Sequence, residues 1–99
     1  MGRAQRPRPT RLAEKLLQIR RSLRLSQQRM LECLSYQASP IFISHISQFE
    51  ANKREPPLLI LLRYARVAGV SMETLVDDEL DLPEIKRSRG LKNVVDSSP

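Results

Sequence analysis

The chain has 99 residues, a formal net charge of +6 and an isoelectric point near 10.2. A chain of this length allows one small domain with a modest core, and it leaves no room for an elaborate active site. Its only cysteine, Cys33, excludes an internal disulfide and a cysteine-rich zinc site. An intracellular protein is the simplest interpretation of that cysteine usage.

The charge is spread unevenly along the chain. Residues 1–24 contain eight Arg or Lys side chains and Glu14 as the only acid, whereas residues 77–84 contain five acids and no base. A basic front half favours a polyanionic partner, either nucleic acid or an anionic membrane surface. The N-terminus lacks the apolar core of a signal peptide, and the longest apolar run, residues 58–62, is too short to cross a bilayer. We therefore expect a cytoplasmic protein without a membrane-spanning segment.

The two ends of the chain differ in composition from its middle. Residues 1–9 combine Arg with alternating Pro, which predicts a disordered basic arm. Such an arm either follows a DNA minor groove or only keeps the protein soluble, and the sequence does not favour one over the other. Residues 83–99 are polar and predict a flexible tail. The single domain is expected between them, over residues 10–82.

Helical periodicity predicts the first element. Thr10 is a plausible N-cap, and the helix is expected to run to about Arg24. Apolar side chains recur at helical spacing on one stripe that can face a core: Leu12, Leu16, Ile19 and Leu23.

A second helix is predicted to begin after the N-cap Ser26. Leu25 and Met30 have the spacing of a hydrophobic staple around that cap. Gln27 and Gln28 then fall in the first turn, where free backbone N–H groups and the helix dipole favour a phosphate.

The third helical pattern covers residues 46–54 and follows a turn-like stretch, residues 36–40. Large apolar side chains share one stripe that is expected to face the core: Phe42, Ile46 and Phe49. Short neutral side chains share another: Ser44, Ser47, Gln48 and Ala51. This second stripe suits base edges in a major groove, where Gln can pair with adenine in two places. The alternative is an ordinary polar surface helix.

After Pro56 and Pro57, residues 58–68 predict a fourth helix that ends at Gly69, and Ser71 caps a fifth over about residues 72–77. The inward stripe of the fourth helix is expected to contain Leu58, Leu61, Leu62 and Ala65.

Two apolar residues, Leu59 and Ile60, lie off that predicted stripe. Their exposure would create an apolar patch for homodimerisation or for a protein partner. The acids that follow Val76 offer a further contact for a partner, although solvated acid near a chain end is the usual explanation.

Several signatures occur in a fixed order along two-thirds of the chain. They are Leu-Ser-Gln at residues 25–27, Ile46-Ser47 followed by Phe49-Glu50, then Lys53, Arg54 and Pro56, and the run LLRYARVAGVSMETLV at residues 61–76. Residues 12–76 thereby resemble the phage-repressor and Cro type of helix-turn-helix domain. This is a five-helix DNA-binding module common in bacterial and phage transcriptional regulators. The resemblance implies a compact all-α fold.

The resemblance also implies roles for individual residues. Arg20 would pair with Glu50 and brace the third helix against the first, and Gln27 would touch the DNA backbone. Base edges or nearby phosphates would be met by Ser44, His45 and Gln48, and Ile43 would contact a thymine methyl group. Lys53 and Arg54 would contact phosphates, which set position and affinity while the third helix supplies sequence preference.

The chain departs from the family pattern around the turn. Between Leu34 and Ile46 it has several additional residues. Either Ser39 and Pro40 begin an extra helical turn, or residues 36–42 form a loop. Other departures are Ser35 in place of the usual Gly of the turn, Leu31 in place of a small residue, and Asn52 in place of the Gly after the third helix.

The sequence therefore predicts a sequence-specific double-stranded DNA-binding protein that regulates transcription by occupying an operator. The alternative is an antitoxin-like or other protein-interaction module on the same fold. No nucleophile, paired-carboxylate site or phosphate loop indicates an enzyme or a cofactor. His45, the only histidine, has no neighbouring ligand at metal-binding spacing.

Overall fold

The computed structural model describes residues 8–85, and within that range the chain forms five α-helices and no strand. The helices are α1 (Leu12–Ser22), α2 (Gln27–Leu34), α3 (Ile43–Glu50), α4 (Leu58–Ala68) and α5 (Met72–Val76). An all-α fold is thus confirmed for the described residues. Residues 1–7 of the predicted arm and 86–99 of the predicted tail lie outside them.

One hydrophobic core receives side chains from all five helices. The stripe predicted on the first helix is entirely buried, and Met30 and Leu34 of α2 face inward as expected. The α3 side chains Ile46 and Phe49 complete the centre of the core, and Leu75 closes it from α5. Burial of these apolar side chains is what holds such short helices in place, because isolated helices of this length are marginal in water.

Local capping fixes the start of α2 and the junction between α4 and α5. Ser26 accepts a hydrogen bond through Oγ from the backbone N–H of Arg29 at 3.1 Å, and Ser71 caps α5 in the same way from Thr74 at 3.2 Å. Gly69 ends α4 with a φ of 73°, a left-handed conformation that costs glycine little. These predicted caps are confirmed.

The start of α1 differs from the prediction, because Thr10 does not cap it. Instead, the Asp78 carboxylate accepts hydrogen bonds from the backbone N–H groups of Thr10 at 2.9 Å and Arg11 at 3.0 Å. These bonds lower the pKa of Asp78. The Arg11 guanidinium donates to Asp81 at 2.6 Å. The acids after α5 therefore hold the start of α1, a contact between segments about 70 residues apart that local sequence does not show.

The predicted end of the first helix needs correction. The first helix stops at Ser22, and Arg24 has a positive φ of 60°, so it does not belong to α1. The fifth helix stops at Val76, close to its expected end.

Lys15 is buried within α1, with only 1 % of its surface exposed. Its Nζ donates to the backbone carbonyls of Thr74 at 2.8 Å and Asp77 at 2.9 Å. A cation at these carbonyls stabilises the C-terminal end of α5. The sequence does not indicate this role, because Lys is seldom buried without a specific partner.

The inward face predicted for α4 is correct for Leu61 and Ala65, which are buried, but not for Leu58. Leu58 is 69 % exposed, whereas Ile60 is completely buried. The buried stripe consists of Ile60, Leu61, Tyr64 and Ala65. A run of five consecutive apolar residues does not reveal which of them face the core, so packing against the other helices decides it. Leu59 and Ile60 were both expected to be exposed. This prediction is wrong for Ile60, and Leu59 is 52 % exposed.

The segment between α2 and α3 is a loop. Neither Ser39 nor Pro40 lies in a helix, so the extra-turn alternative is wrong, and α3 begins at Ile43 with Phe42 at the cap position. Phe42 is 60 % exposed and does not share the buried face with Ile46 and Phe49. The third helix ends at Glu50 and does not reach residue 54.

Ser35 and Asn52, which stand where the family that the sequence resembles has glycine, adopt left-handed conformations. Ser35, after α2, has a φ of 51°, and Asn52, after α3, has a φ of 61°. Asn tolerates this conformation better than most residues, whereas Ser is a less common choice. Both positions turn the chain out of a helix.

Candidate nucleic-acid interface

The α3 helix has one face in the core and one face in solvent. Ile46 is completely buried, and Phe49 is 2 % exposed. On the opposite side, Ser44 and Ser47 are exposed, and Gln48 is half-buried at the edge. The solvent face therefore consists of short neutral side chains that can donate and accept hydrogen bonds.

The inner side of α3 is braced by an ion pair. Arg20 donates to the Glu50 carboxylate from Nε at 2.7 Å and from a terminal nitrogen at 3.0 Å. Gln27 of α2 donates to the same carboxylate at 3.1 Å. The hydrogen bond to Glu50 raises the pKa of Arg20, and burial opposes that rise. Glu50 thus connects α3 to both α1 and α2, and Gln27 is held beside the end of α3.

This pairing also removes negative charge from the surface of α3. Glu50 is the only carboxylate in the helix, and only 6 % of its side chain is exposed. A phosphate near the solvent face of α3 consequently meets no acidic side chain from that helix.

The first turn of α3 is held by His45. The Phe42 backbone N–H donates to Nδ1 of His45 at 2.9 Å, which satisfies one of the N–H groups near the helix start. The imidazole also stacks on two phenyl rings, with centroids 5.7 Å from Phe42 and 6.4 Å from Phe49. His45 is therefore half-buried and used by the fold, and its Nδ1 is committed as an acceptor.

Gln48 is bound by a residue that follows the helix. The Nε of Arg54 donates to Oε1 of Gln48 at 2.8 Å. Because a guanidinium has only donors, the atom facing it must be the Gln48 oxygen, and the amide NH₂ group points elsewhere. Local periodicity could not reveal this contact, since Arg54 lies beyond the end of α3.

Cationic side chains surround the C-terminal end of α3. Lys53 and Arg54 are exposed in the turn that follows the helix. Arg8, at the described end of the basic arm, donates to Oδ1 of Asn52 at 3.4 Å. Arg8 thus lies beside this turn, so its positive charge adds to that of Lys53 and Arg54.

Gln28 lies in a different environment from the other predicted contact residues. Its side chain donates to Glu32 at 3.0 Å, and Glu32 also pairs with Arg29 at 3.1 Å. The nearby carboxylate weakens the positive potential expected at the first turn of α2. The remaining predicted contacts are on α3, beside its end or directly after it, and Ile43 is 41 % exposed at its start.

Residues 8–85 contain neither a metal-binding cluster nor a membrane-spanning helix. No group of three His, Cys, Asp or Glu side chains there is arranged to hold a metal ion. No helix in the same range is long and apolar enough to cross a membrane.

Comparisons of the chain with protein-family models, with curated proteins and with solved structures found no match.

Proposed function

We propose that this protein binds double-stranded DNA sequence-specifically, with α3 in the major groove, and regulates transcription by occupying an operator. One observation carries the proposal: the solvent face of α3 consists of the exposed Ser44 and Ser47 and the half-buried Gln48, without an exposed acid, and Lys53 and Arg54 follow in the next turn. Such a helix fits the width of the major groove, where its polar side chains can reach base edges.

The support behind α3 favours recognition of sequence. Ile46 and Phe49 anchor the helix in the core, and Glu50 ties it to α1 and α2. A helix fixed in this way loses little conformational freedom when it binds, so more of the contact energy is retained as affinity. In this proposal α2 and α3 form the helix-turn-helix unit that the sequence resembles.

Phosphate contacts would come from the cations around the end of α3. Lys53, Arg54 and Arg8 lie in or beside the turn after that helix, and the chain as a whole has a net charge of +6. Neutralisation of phosphates releases counterions, so the affinity of such a complex falls as salt rises. The proposed mechanism is steric occupancy of DNA and involves no cofactor and no catalytic step.

Selection from a random duplex DNA library at low and moderate salt tests the proposal. We expect one enriched motif that persists at the higher salt concentration. An inverted repeat with half-site centres about 34 Å apart would show that two copies bind one operator, and a single half-site would show a monomer.

Matched variants distinguish base contact from charge. Gln48→Ala should relax the motif at one position and cost about 1–3 kcal/mol on the best site. Gln18→Ala replaces an exposed Gln of α1 and should leave the motif intact. Weak binding without any enriched motif, lost as salt rises, would refute sequence-specific recognition.

The alternative of a protein-interaction module depended partly on the acids after Val76. Two of these acids make hydrogen bonds within the chain. Asp78 accepts from the backbone N–H groups of Thr10 and Arg11, and Asp81 accepts from the Arg11 guanidinium. They therefore do not form a free acidic patch for a partner, and the exposed Leu59 is the stronger basis for that alternative.

A further inference from the structure

An open cleft of about 300 Å³ lies between α4 and the loop that follows α2. Tyr36, Gln37 and Ala38 form one wall, and α4 forms the other. The volume is at the lower end of the range that ligand-binding clefts usually have. None of the candidate nucleic-acid contacts lines this cleft.

The α4 wall has an apolar end and a basic end. Leu59, Leu62, Arg63 and Arg66 line the cleft, and their spacing places them on one face of the helix. Leu59 is 52 % exposed, so about half of its side chain is available to a ligand. From Leu59 to Arg66 the helix rises by about 10 Å.

The positive charge in the cleft is not balanced by a carboxylate. Arg63 donates to the backbone carbonyls of Leu34 at 2.8 Å and Ser35 at 3.0 Å, which fixes the wall formed by the loop. Arg66 is exposed, and no acidic residue lines the cleft.

We propose that this cleft binds an acidic segment of a partner protein that carries a large apolar anchor. The anchor packs on Leu59 and Leu62, and the acidic side chain pairs with Arg66. In an extended segment, a span of about 10 Å corresponds to an acid roughly three residues from the anchor. In a helical segment it corresponds to about two turns.

The mixed chemistry of the cleft favours a protein segment over a nucleic acid. A phosphate backbone would use Arg66 but leave the aliphatic surface of Leu59 and Leu62 uncovered. An acidic peptide with an apolar anchor covers both, and burial of apolar surface adds to the charge contact. Because α3 exposes its polar face outside the cleft, the proposed peptide and DNA would not compete for the same residues.

Selection of short random displayed peptides on the full-length protein tests this proposal without DNA. We expect enriched peptides to combine Asp or Glu with a Leu, Phe or Trp anchor at the stated spacing. Leu59→Glu and Arg66→Glu should each weaken binding of a synthetic enriched peptide by about tenfold or more.

Two control variants match these changes on other surfaces. Leu58→Glu alters a neighbouring leucine that is 69 % exposed and does not line the cleft, and Arg21→Glu reverses an exposed charge on α1. Both should leave peptide affinity unchanged. Thermal melting of every variant checks the fold, and Leu59→Ala provides a milder test if Leu59→Glu melts early.

Three outcomes would overturn the proposal. One is the absence of any enriched peptide, and another is enrichment of peptides without acidic residues. The third is loss of DNA affinity in Leu59→Glu or Arg66→Glu without loss of peptide affinity, which would assign the cleft to the nucleic-acid surface. Because the peptide selection and the peptide affinities are measured without DNA, failure of the proposed DNA binding leaves the first two tests intact.

Discussion

The Nε of Arg54 donates to the side-chain oxygen Oε1 of Gln48 at 2.8 Å and thereby orients the amide that we assign to base recognition. Bidentate pairing with adenine uses both the oxygen and the nitrogen of a Gln amide. With Oε1 engaged by Arg54, Gln48 presents mainly its NH₂ donor. The acceptors of the major groove are guanine O6 and N7, thymine O4 and adenine N7. A donor alone favours guanine and thymine, because at adenine the neighbouring N6–H donor would be left without an acceptor.

Replacement of Arg54 should therefore change sequence preference as well as affinity. In library selection, the wild type should prefer guanine or thymine at the position read by Gln48, and Arg54→Met should gain adenine there. Lys53→Met removes the same charge one residue earlier and should weaken binding similarly on all sequences. If both variants select the wild-type motif, Arg54 is only a phosphate contact. If the wild type selects no motif, it is the proposed function that fails.

Removal of Arg20 should destabilise the domain strongly. Arg20→Met leaves the Glu50 carboxylate, whose side chain is 6 % exposed, without its ionic partner. Loss of one member of a buried pair costs about 3 kcal/mol or more, because the remaining charge stays desolvated. Urea denaturation measures this loss. Arg29→Met removes a pair whose side chains are about half exposed, so it should change stability by about 0.5 kcal/mol or less. Equal effects of the two substitutions would contradict a bracing role for Arg20.

Substitution of His45 should preserve stability only when the new side chain can accept a hydrogen bond from the Phe42 N–H. His45→Leu removes the acceptor for the Phe42 N–H and should cost about 1 kcal/mol, the usual effect of losing a helix cap. His45→Gln retains an acceptor at the third helical position and should restore part of that stability.

Amide hydrogen exchange gives the specific measurement for this contact. Exchange of the Phe42 amide should accelerate in His45→Leu and much less in His45→Gln. Unchanged exchange at Phe42 in both variants would show that His45 acts only through its contacts with the two phenyl rings.

Asp78 should make stability depend on acid pH. Its pKa is lowered chiefly by hydrogen bonds from the Thr10 and Arg11 backbone, so its ionised form is the one that the fold favours. This stabilisation is fully present above the ordinary Asp pKa of about 3.9 and is lost as pH falls through the lowered folded-state value.

Asp78→Ala should accordingly melt below the wild type at neutral pH, and the difference should shrink as the solution is acidified below about pH 4. Differential scanning calorimetry across this range measures both effects. Glu79→Ala changes an exposed neighbouring acid and serves as the control. A melting difference that stays constant down to low pH would exclude the carboxylate as its cause.

Much of the fold was accessible from sequence because its signals are local. The apolar stripe of α1, the cap residues Ser26 and Ser71, and Gly69 after α4 each depend on neighbours within about two helical turns. The pair between Arg20 and Glu50 joins distant positions, and it was expected only through the family resemblance. The structure forms it at 2.7 Å.

Tertiary packing decided the features that local patterns leave open. In α4 every residue from 58 to 62 is apolar, so only contact with the other helices could show that Ile60 is buried and Leu58 exposed. The same holds for Lys15, whose burial requires carbonyls from α5.

By itself, the sequence determined the number and type of the helices and the polar character of α3, because periodicity and capping act over a few residues. The structure determined how that face is presented. Arg54 turns the amide of Gln48, His45 is committed to the start of α3, and Glu50 is withdrawn from the surface. Apart from Arg20 and Glu50, these arrangements were not anticipated, because they arise only when the helices pack and bring separate side chains within hydrogen-bonding distance.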